Sequence, residues 1–126
     1  MAYIIVFLGA GIGGALRHGV NQAARLLGYG FPWGTLAVNV LGSFLMGVLA
    51  GYFAYRTGIS QQSRLFLTTG ILGGFTTFSA FSLDAALLIE RQSYKIAAGY
   101  VAASVIASIG ALFLGLAMFR GGGQLP

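Results

Sequence analysis

Three polar residues in one apolar segment have side chains and a spacing that could bind an ion. Thr35, Asn39 and Ser43 follow one another at intervals of four residues, so on a helix they share one face. The Asn39 amide carries two N–H donors, and a small hard anion needs such donors to replace its hydration shell. An asparagine inside a membrane commonly makes an interhelical hydrogen bond instead. The pattern therefore indicates an anion contact or a packing bond at Asn39.

Two further pairs repeat this helical spacing. Ser104 and Ser108 lie four residues apart, so both hydroxyls could donate to an anion, although serine can also bond back to the carbonyl four residues earlier. Phe78 and Phe81 lie three residues apart and share a face. The electropositive edge of a phenyl ring can meet an anion, and packing is the alternative role for both rings.

Charged residues are few, and they exclude most catalytic chemistry. The chain contains no cysteine, one histidine and two acids, so it lacks the paired titratable groups of a hydrolase or a proton pump. Arg17 either extends to the lipid headgroups or forms a positive vestibule that concentrates anions. Asp84 is expected to pair with a basic residue or to cap backbone, and a proton-carrying role stays open. We expect neither enzyme activity nor a nucleic-acid partner.

The elements that must position these residues are membrane-spanning helices. Hydrophobic residues make up 57% of the chain and charged residues 7%, whereas soluble domains carry about 25% charged residues. Four segments approach or exceed the roughly 20 apolar residues that a spanning helix needs, at about 3–27, 33–55, 63–89 and 94–119. Only short polar breaks separate them. The sequence predicts a single all-α transmembrane domain over residues 1–126.

The third segment contains a sequence that forms helix poorly. Thr68-Thr69-Gly70 is followed by Gly73-Gly74 and Thr76-Thr77 near the middle of the span. Irregular backbone at that depth is tolerated where protein buries it or where it lines a cavity. We therefore predict a broken third helix. The alternative is a continuous helix whose glycines serve close packing.

Positive charge is balanced across the membrane, which removes the usual determinant of orientation. Three basic residues fall on each side: Arg56, Arg64 and Arg120 with the N-terminus, and Arg25, Arg91 and Lys95 opposite. A chain without bias can insert both ways, and two opposed copies can pair about an axis in the membrane plane. The balance favours a dual-topology antiparallel homodimer, unless other factors fix one orientation.

Two motifs resemble those of a known family. The stretch GGFTTFSAFS at 73–82 resembles the GG-hydrophobic-TTFSTFS motif of the Fluc (CrcB) fluoride channels, and GTLAVN at 34–39 resembles their GTLxxN motif. Leu16-Arg17 matches their first-helix arginine. The likeness covers nearly the whole chain. The departures are His18 after the arginine, Ala80 for a threonine, Asp84 for a glutamate, and Leu112 where some members carry a hydroxyl.

This resemblance implies an antiparallel homodimer in the lipid bilayer with two fluoride pores. Asn39 would donate to fluoride with Thr35 near the pore, and Phe78 and Phe81 would contact the ion, one ring from each subunit. The resemblance also implies that Ser104 and Ser108 form a polar track along the fourth helix. It places Tyr100 near the pore and Arg17 in the vestibule.

The resemblance also implies a structural sodium ion on the dimer axis, held by the backbone carbonyls of Gly73 and Thr76. The implied activity is passive fluoride export through the inner cell membrane, which protects the cell from fluoride. An alternative is a small proton-coupled multidrug antiporter, which needs an embedded carboxylate that only Asp84 could supply. Another alternative is a membrane assembly protein that transports nothing.

Overall fold

The computed structural model describes residues 1–28, 30–56 and 58–120. Residues 121–126, which the predicted domain includes, lie outside the described residues, as does the side chain of Arg120. The elements in chain order are α1 (Ala2–Ala24) with a 3₁₀ turn (Arg25–Leu27), α2 (Trp33–Tyr55), α3 (Gln61–Leu65), a π-helix (Phe66–Leu72), α4 (Gly73–Phe75), α5 (Phe78–Glu90) and α6 (Tyr94–Arg120).

Four helical stretches are long and apolar enough to cross a membrane. They cover Ala2–Leu27, Trp33–Tyr55, Gln61–Glu90 and Tyr94–Phe119. The described residues contain no strand. The prediction of an all-helical protein with four membrane-capable helices is confirmed, because runs of about 20 apolar residues satisfy their backbone polar groups in lipid only as helices.

Glycines let the helix pairs approach at backbone distance. A Cβ on Gly47 of α2 would collide with the Leu112 carbonyl of α6, and one on Gly115 would collide with the Phe44 carbonyl. On α1, Gly13 meets the backbone of Ile71 in the same way. Small residues at such contacts allow the close van der Waals packing that holds membrane helices together. The packing places α2 against α6 and α1 against the third stretch.

The third stretch departs from α-helical geometry in two places. Residues Phe66–Leu72 have π-helical hydrogen bonding, which is rare and concentrates at functional sites. Thr76 (φ −89°, ψ 160°) and Thr77 (φ −155°, ψ 122°) then have extended backbone before α5 begins at Phe78. Thr77 is the N-cap of α5, and its Oγ1 accepts a hydrogen bond from the Ala80 amide at 3.1 Å. We refer to Thr76–Thr77 as the interruption.

Candidate functional site

A cleft of about 380 Å³ opens between α2, the interruption, α5 and α6. We call it the central cleft. Its polar and aromatic lining consists of Asn39, Ser43, Thr76, Thr77, Phe78, Phe81, Ser104 and Ser108. Five of the residues predicted to line a pore therefore meet in one space, although they come from three separate helices.

Asn39 is bonded to the interruption through both ends of its amide. Its Nδ2 donates to the Thr77 carbonyl at 3.0 Å, and its Oδ1 accepts from the Thr77 amide at 2.8 Å. Nδ2 carries two protons, so one N–H remains after this pair is made. The packing bond and the anion contact are thus compatible, because Asn39 also lines the central cleft.

The two serines of α6 present unused hydroxyls to the central cleft. The Oγ atoms of Ser104 and Ser108 are both buried and have no hydrogen-bond partner among the described residues. Ser104 is only 6% exposed. A buried hydroxyl without a partner costs free energy, so a polar occupant of the central cleft would be stabilised beside these two groups.

The two phenyl rings lie at the edge of the central cleft. Their centroids are 5.5 Å apart with a tilt of 49°. Phe78 is 78% exposed, whereas Phe81 is half-buried and packs against the Tyr100 ring at 5.2 Å. Because the rings are tilted, edges as well as faces point into the space between the two rings. The edge of a phenyl ring carries partial positive charge.

Thr35 and Tyr100 do not line the central cleft. Both are buried, and Thr35 lines a second cleft of about 920 Å³ together with Asp84. The Tyr100 hydroxyl donates to Asp84 Oδ2 at 3.2 Å. The structure thus gives Asp84 a tyrosine partner in place of the basic residue or backbone group that we expected. Tyr100 links the two regions, since its ring touches Phe81 and its hydroxyl touches Asp84.

Arg17 points inward to backbone. Its Nε donates to the Gly74 carbonyl at 3.2 Å, at the end of the third stretch's first half. The sequence indicated lipid headgroups or a vestibule for this side chain, and the Gly74 contact was not predicted because the two residues are 57 positions apart. The capping role of Thr77 was not predicted either, although Thr before an apolar run is an N-cap signal.

The hydrogen bonds around the interruption leave the carbonyls of Gly73 and Thr76 without their helical partners. In a continuous helix the Thr77 amide would bond to the Gly73 carbonyl, but it donates to Asn39. The Ala80 amide would bond to the Thr76 carbonyl, but it donates to Thr77 Oγ1. Gly73 and Thr76 are the two residues whose carbonyls the family resemblance implies as sodium ligands. Hard carbonyl oxygens suit an alkali cation, so the donor set fits such an ion.

Comparison with known proteins identifies the family. The family model described as "CrcB-like protein, Camphor Resistance (CrcB)" matches residues 4–116. The chain belongs to the CrcB family. Among curated CrcB relatives, one from Rhodopseudomonas palustris (strain BisB5) is 57% identical over 121 residues, covering 95% of this chain and 98% of the relative. One from Methylobacterium nodulans is 59% identical over 117 residues, covering 93% and 94%. Both relatives are named "Fluoride-specific ion channel FluC".

Three positions where this CrcB protein departs from the motif pattern have defined surroundings. Ala80 contributes its backbone amide to the cap of α5, which requires no side-chain hydroxyl. Leu112 lines the central cleft beyond Ser108, so that end of the cleft is apolar. His18 is exposed, and its Nε2 lies 3.1 Å from the side-chain nitrogen of Gln22. Of the three, only Leu112 leaves the central cleft without a hydroxyl that some family members carry.

Proposed function

We propose that this multi-pass membrane protein is a fluoride-selective channel that lets the anion leave the cell passively through the cytoplasmic membrane. The observation that carries the proposal is the central cleft, which combines the Asn39 amide, two phenyl edges and two serine hydroxyls that have no partner in the described part of the chain. Hydrogen fluoride is a weak acid that crosses lipid as a neutral molecule and ionises at the higher internal pH. The trapped anion then leaves down its electrochemical gradient, because the cell interior is negative.

The donors of the central cleft suit a small dehydrated anion. The free N–H of Asn39 and the hydroxyls of Ser104 and Ser108 can each donate a hydrogen bond. Phe78 and Phe81 add weakly positive ring edges, which attract an anion without holding it tightly. Conduction requires binding that is favourable enough for entry and weak enough for release. Leu112 and the rings keep the surroundings largely apolar, which favours removal of water.

An antiparallel homodimer would complete this site. Phe78, which lines the central cleft, is exposed, and so are Gly73, Ser79 and Ser82 on the same stretch of chain. Hydroxyls and irregular backbone facing lipid hydrocarbon are unfavourable, since nothing there accepts their hydrogen bonds. A second copy of the chain would cover them. Balanced basic loops support an opposed orientation of the two copies, and two pores follow from the symmetry.

The interruption would act as a helix break that holds a structural sodium ion. Its support is the extended backbone at Thr76 and Thr77 and the loss of helical partners by the Gly73 and Thr76 carbonyls. Two subunits meeting at this point would supply four such carbonyls. Bound there, sodium would supply positive charge that joins the two chains, a structural role.

Ion efflux from reconstituted vesicles tests the channel. Vesicles loaded with fluoride or chloride are clamped with an ionophore, and ion-selective electrodes report release. We expect rapid fluoride loss without chloride loss, and Phe78→Ile should slow it at least tenfold. Phe7→Ile is the matched control, because Phe7 is 76% exposed on α1 and lies outside the central cleft. No fluoride flux from well-folded wild-type protein would disprove the channel.

A further inference from the structure

One face of α1 packs along the backbone that precedes the interruption. Gly9, Gly13 and Arg17 follow at intervals of four residues, so they lie on this face. A Cβ on Gly9 would lie 2.9 Å from the Gly70 Cα, and one on Gly13 would lie 2.8 Å from the Phe75 amide. Arg17 comes one turn later. The two glycines bring α1 close enough for the arginine side chain to reach the end of α4.

Arg17 meets a backbone group that has lost its helical partner. The Gly74 carbonyl would accept from the Phe78 amide in a continuous helix, but the extended backbone at Thr76 and Thr77 separates the two. It accepts from Arg17 Nε at 3.2 Å instead. This hydrogen bond holds the carbonyl against α1.

The interruption is consequently anchored at two points. Arg17 donates to the Gly74 carbonyl, and Asn39 bonds both the backbone amide and the backbone carbonyl of Thr77. Thr76 lies between these two anchored residues, and Gly73 immediately precedes the first. The carbonyls of both residues have lost their helical partners, so the two anchors constrain where these oxygens point.

We infer that Arg17 is a positioning residue for a cation site, in addition to any effect of its charge on anions. Through its hydrogen bond to Gly74 it orients the Gly73 and Thr76 carbonyls that would bind sodium. This inference rests on the sodium site of the proposed function and names a new residue on which that site depends. The requirement is for a donor at the position of Nε. The positive charge itself would repel a cation.

Glutamine and methionine separate the hydrogen bond from the charge. In glutamine, Nε2 follows Cβ, Cγ and Cδ, as Nε does in arginine, so Arg17→Gln keeps a donor at the same distance along the side chain. Arg17→Met has similar length and no donor, and both variants are neutral. Arg17→Lys keeps the charge but moves the nitrogen one bond farther out. A hydrogen bond of ordinary net strength corresponds to about fivefold in a binding constant.

Sodium titration of the purified full chain in detergent gives a readout that does not depend on flux. Thermal unfolding is followed through the fluorescence of Trp33, the only tryptophan in the chain, while sodium chloride replaces choline chloride at constant ionic strength. A ligand that binds the native state stabilises it by RT ln(1 + [L]/Kd), so the rise in unfolding temperature with sodium concentration gives a dissociation constant, which we call the sodium midpoint. We expect the sodium midpoint of Arg17→Gln to stay within about threefold of the wild-type value. The sodium midpoint of Arg17→Met should be higher than the wild-type value by about fivefold or more.

Each other outcome overturns part of the reasoning. Equal sodium midpoints for Arg17→Met and wild type would disprove the positioning role and leave the sodium site intact. No sodium effect on the wild type would disprove the site and the role together, while fluoride flux would still test the channel. If Arg17→Met does not fold, Arg17→Lys and Arg17→Gln decide. A wild-type sodium midpoint for Arg17→Lys, with a higher sodium midpoint for Arg17→Gln, would show that the charge matters and the hydrogen bond does not.

Discussion

Replacing Asn39 with alanine tests how strongly α2 holds the interruption. The substitution removes both hydrogen bonds to the Thr77 backbone, of 3.0 and 2.8 Å, without adding a larger side chain. It also leaves a part-buried amide and carbonyl without partners. Asn39→Ala should therefore destabilise the protein and remove an anion donor from the central cleft at the same time.

The size of the effect follows from the two bonds. Each bond contributes about 0.5–1.5 kcal/mol net to the free energy of unfolding. Because the substitution also leaves part-buried backbone groups unpaired, we expect a total loss of about 2–4 kcal/mol. For a chain of this length, 1 kcal/mol shifts the unfolding midpoint by about 4 °C. We expect the midpoint of Asn39→Ala to fall by about 8–16 °C.

Ser43→Ala provides the matched control for this measurement. Ser43 lies one turn along α2, lines the central cleft, and makes no side-chain hydrogen bond within the described residues. Its substitution should change the midpoint by less than about 2 °C. Both variants are measured by Trp33 fluorescence in the same detergent. If Asn39→Ala unfolds within 2 °C of Ser43→Ala, the bonds between Asn39 and Thr77 do not support the fold, and the argument for two anchors is wrong.

Three further predictions address packing, the serine hydroxyls and the acid. Gly13→Ala should destabilise by about 1–3 kcal/mol because its Cβ collides with the third stretch, whereas Gly14→Ala, which meets nothing within 4 Å, should be neutral or stabilising in thermal unfolding. Ser104→Ala should slow fluoride efflux at least fivefold while leaving the midpoint unchanged or higher, since its hydroxyl has no partner to lose. A lower midpoint would contradict this. Asp84→Asn should keep most fluoride flux, because an amide oxygen can still accept from Tyr100. Abolished transport would favour the proton-coupled antiporter.

The structure shows one of the two roles that the sequence left open at Asn39, the interhelical packing bond, while the anion contact stays a prediction. An interhelical packing bond and an anion contact were alternatives when only the spacing was known. The amide has more donors than the Thr77 backbone uses, so one side chain can do both. This has a practical consequence, because loss of flux in an Asn39 variant is interpretable only beside a stability measurement on the same protein.

Short-range properties of the sequence determined the membrane class, the four helices and which residues share a helix face. A run of apolar residues has one satisfactory backbone conformation in lipid, so helix number and bounds can be read locally. Spacing of three or four residues put Asn39 with Ser43, and Phe78 with Phe81, on common faces. The poor helix formers at Thr76 and Thr77 marked the position where the structure has extended backbone.

Only the tertiary structure decided which faces meet. Thr35 shares a helix face with Asn39, yet it lines the second cleft with Asp84, because α2 passes from one cleft to the other along its length. Arg17 lies 57 positions from Gly74, and no local pattern specifies that contact. Such pairings depend on how glycine surfaces fit together in three dimensions, and a periodicity within one helix carries no information about the partner it will meet.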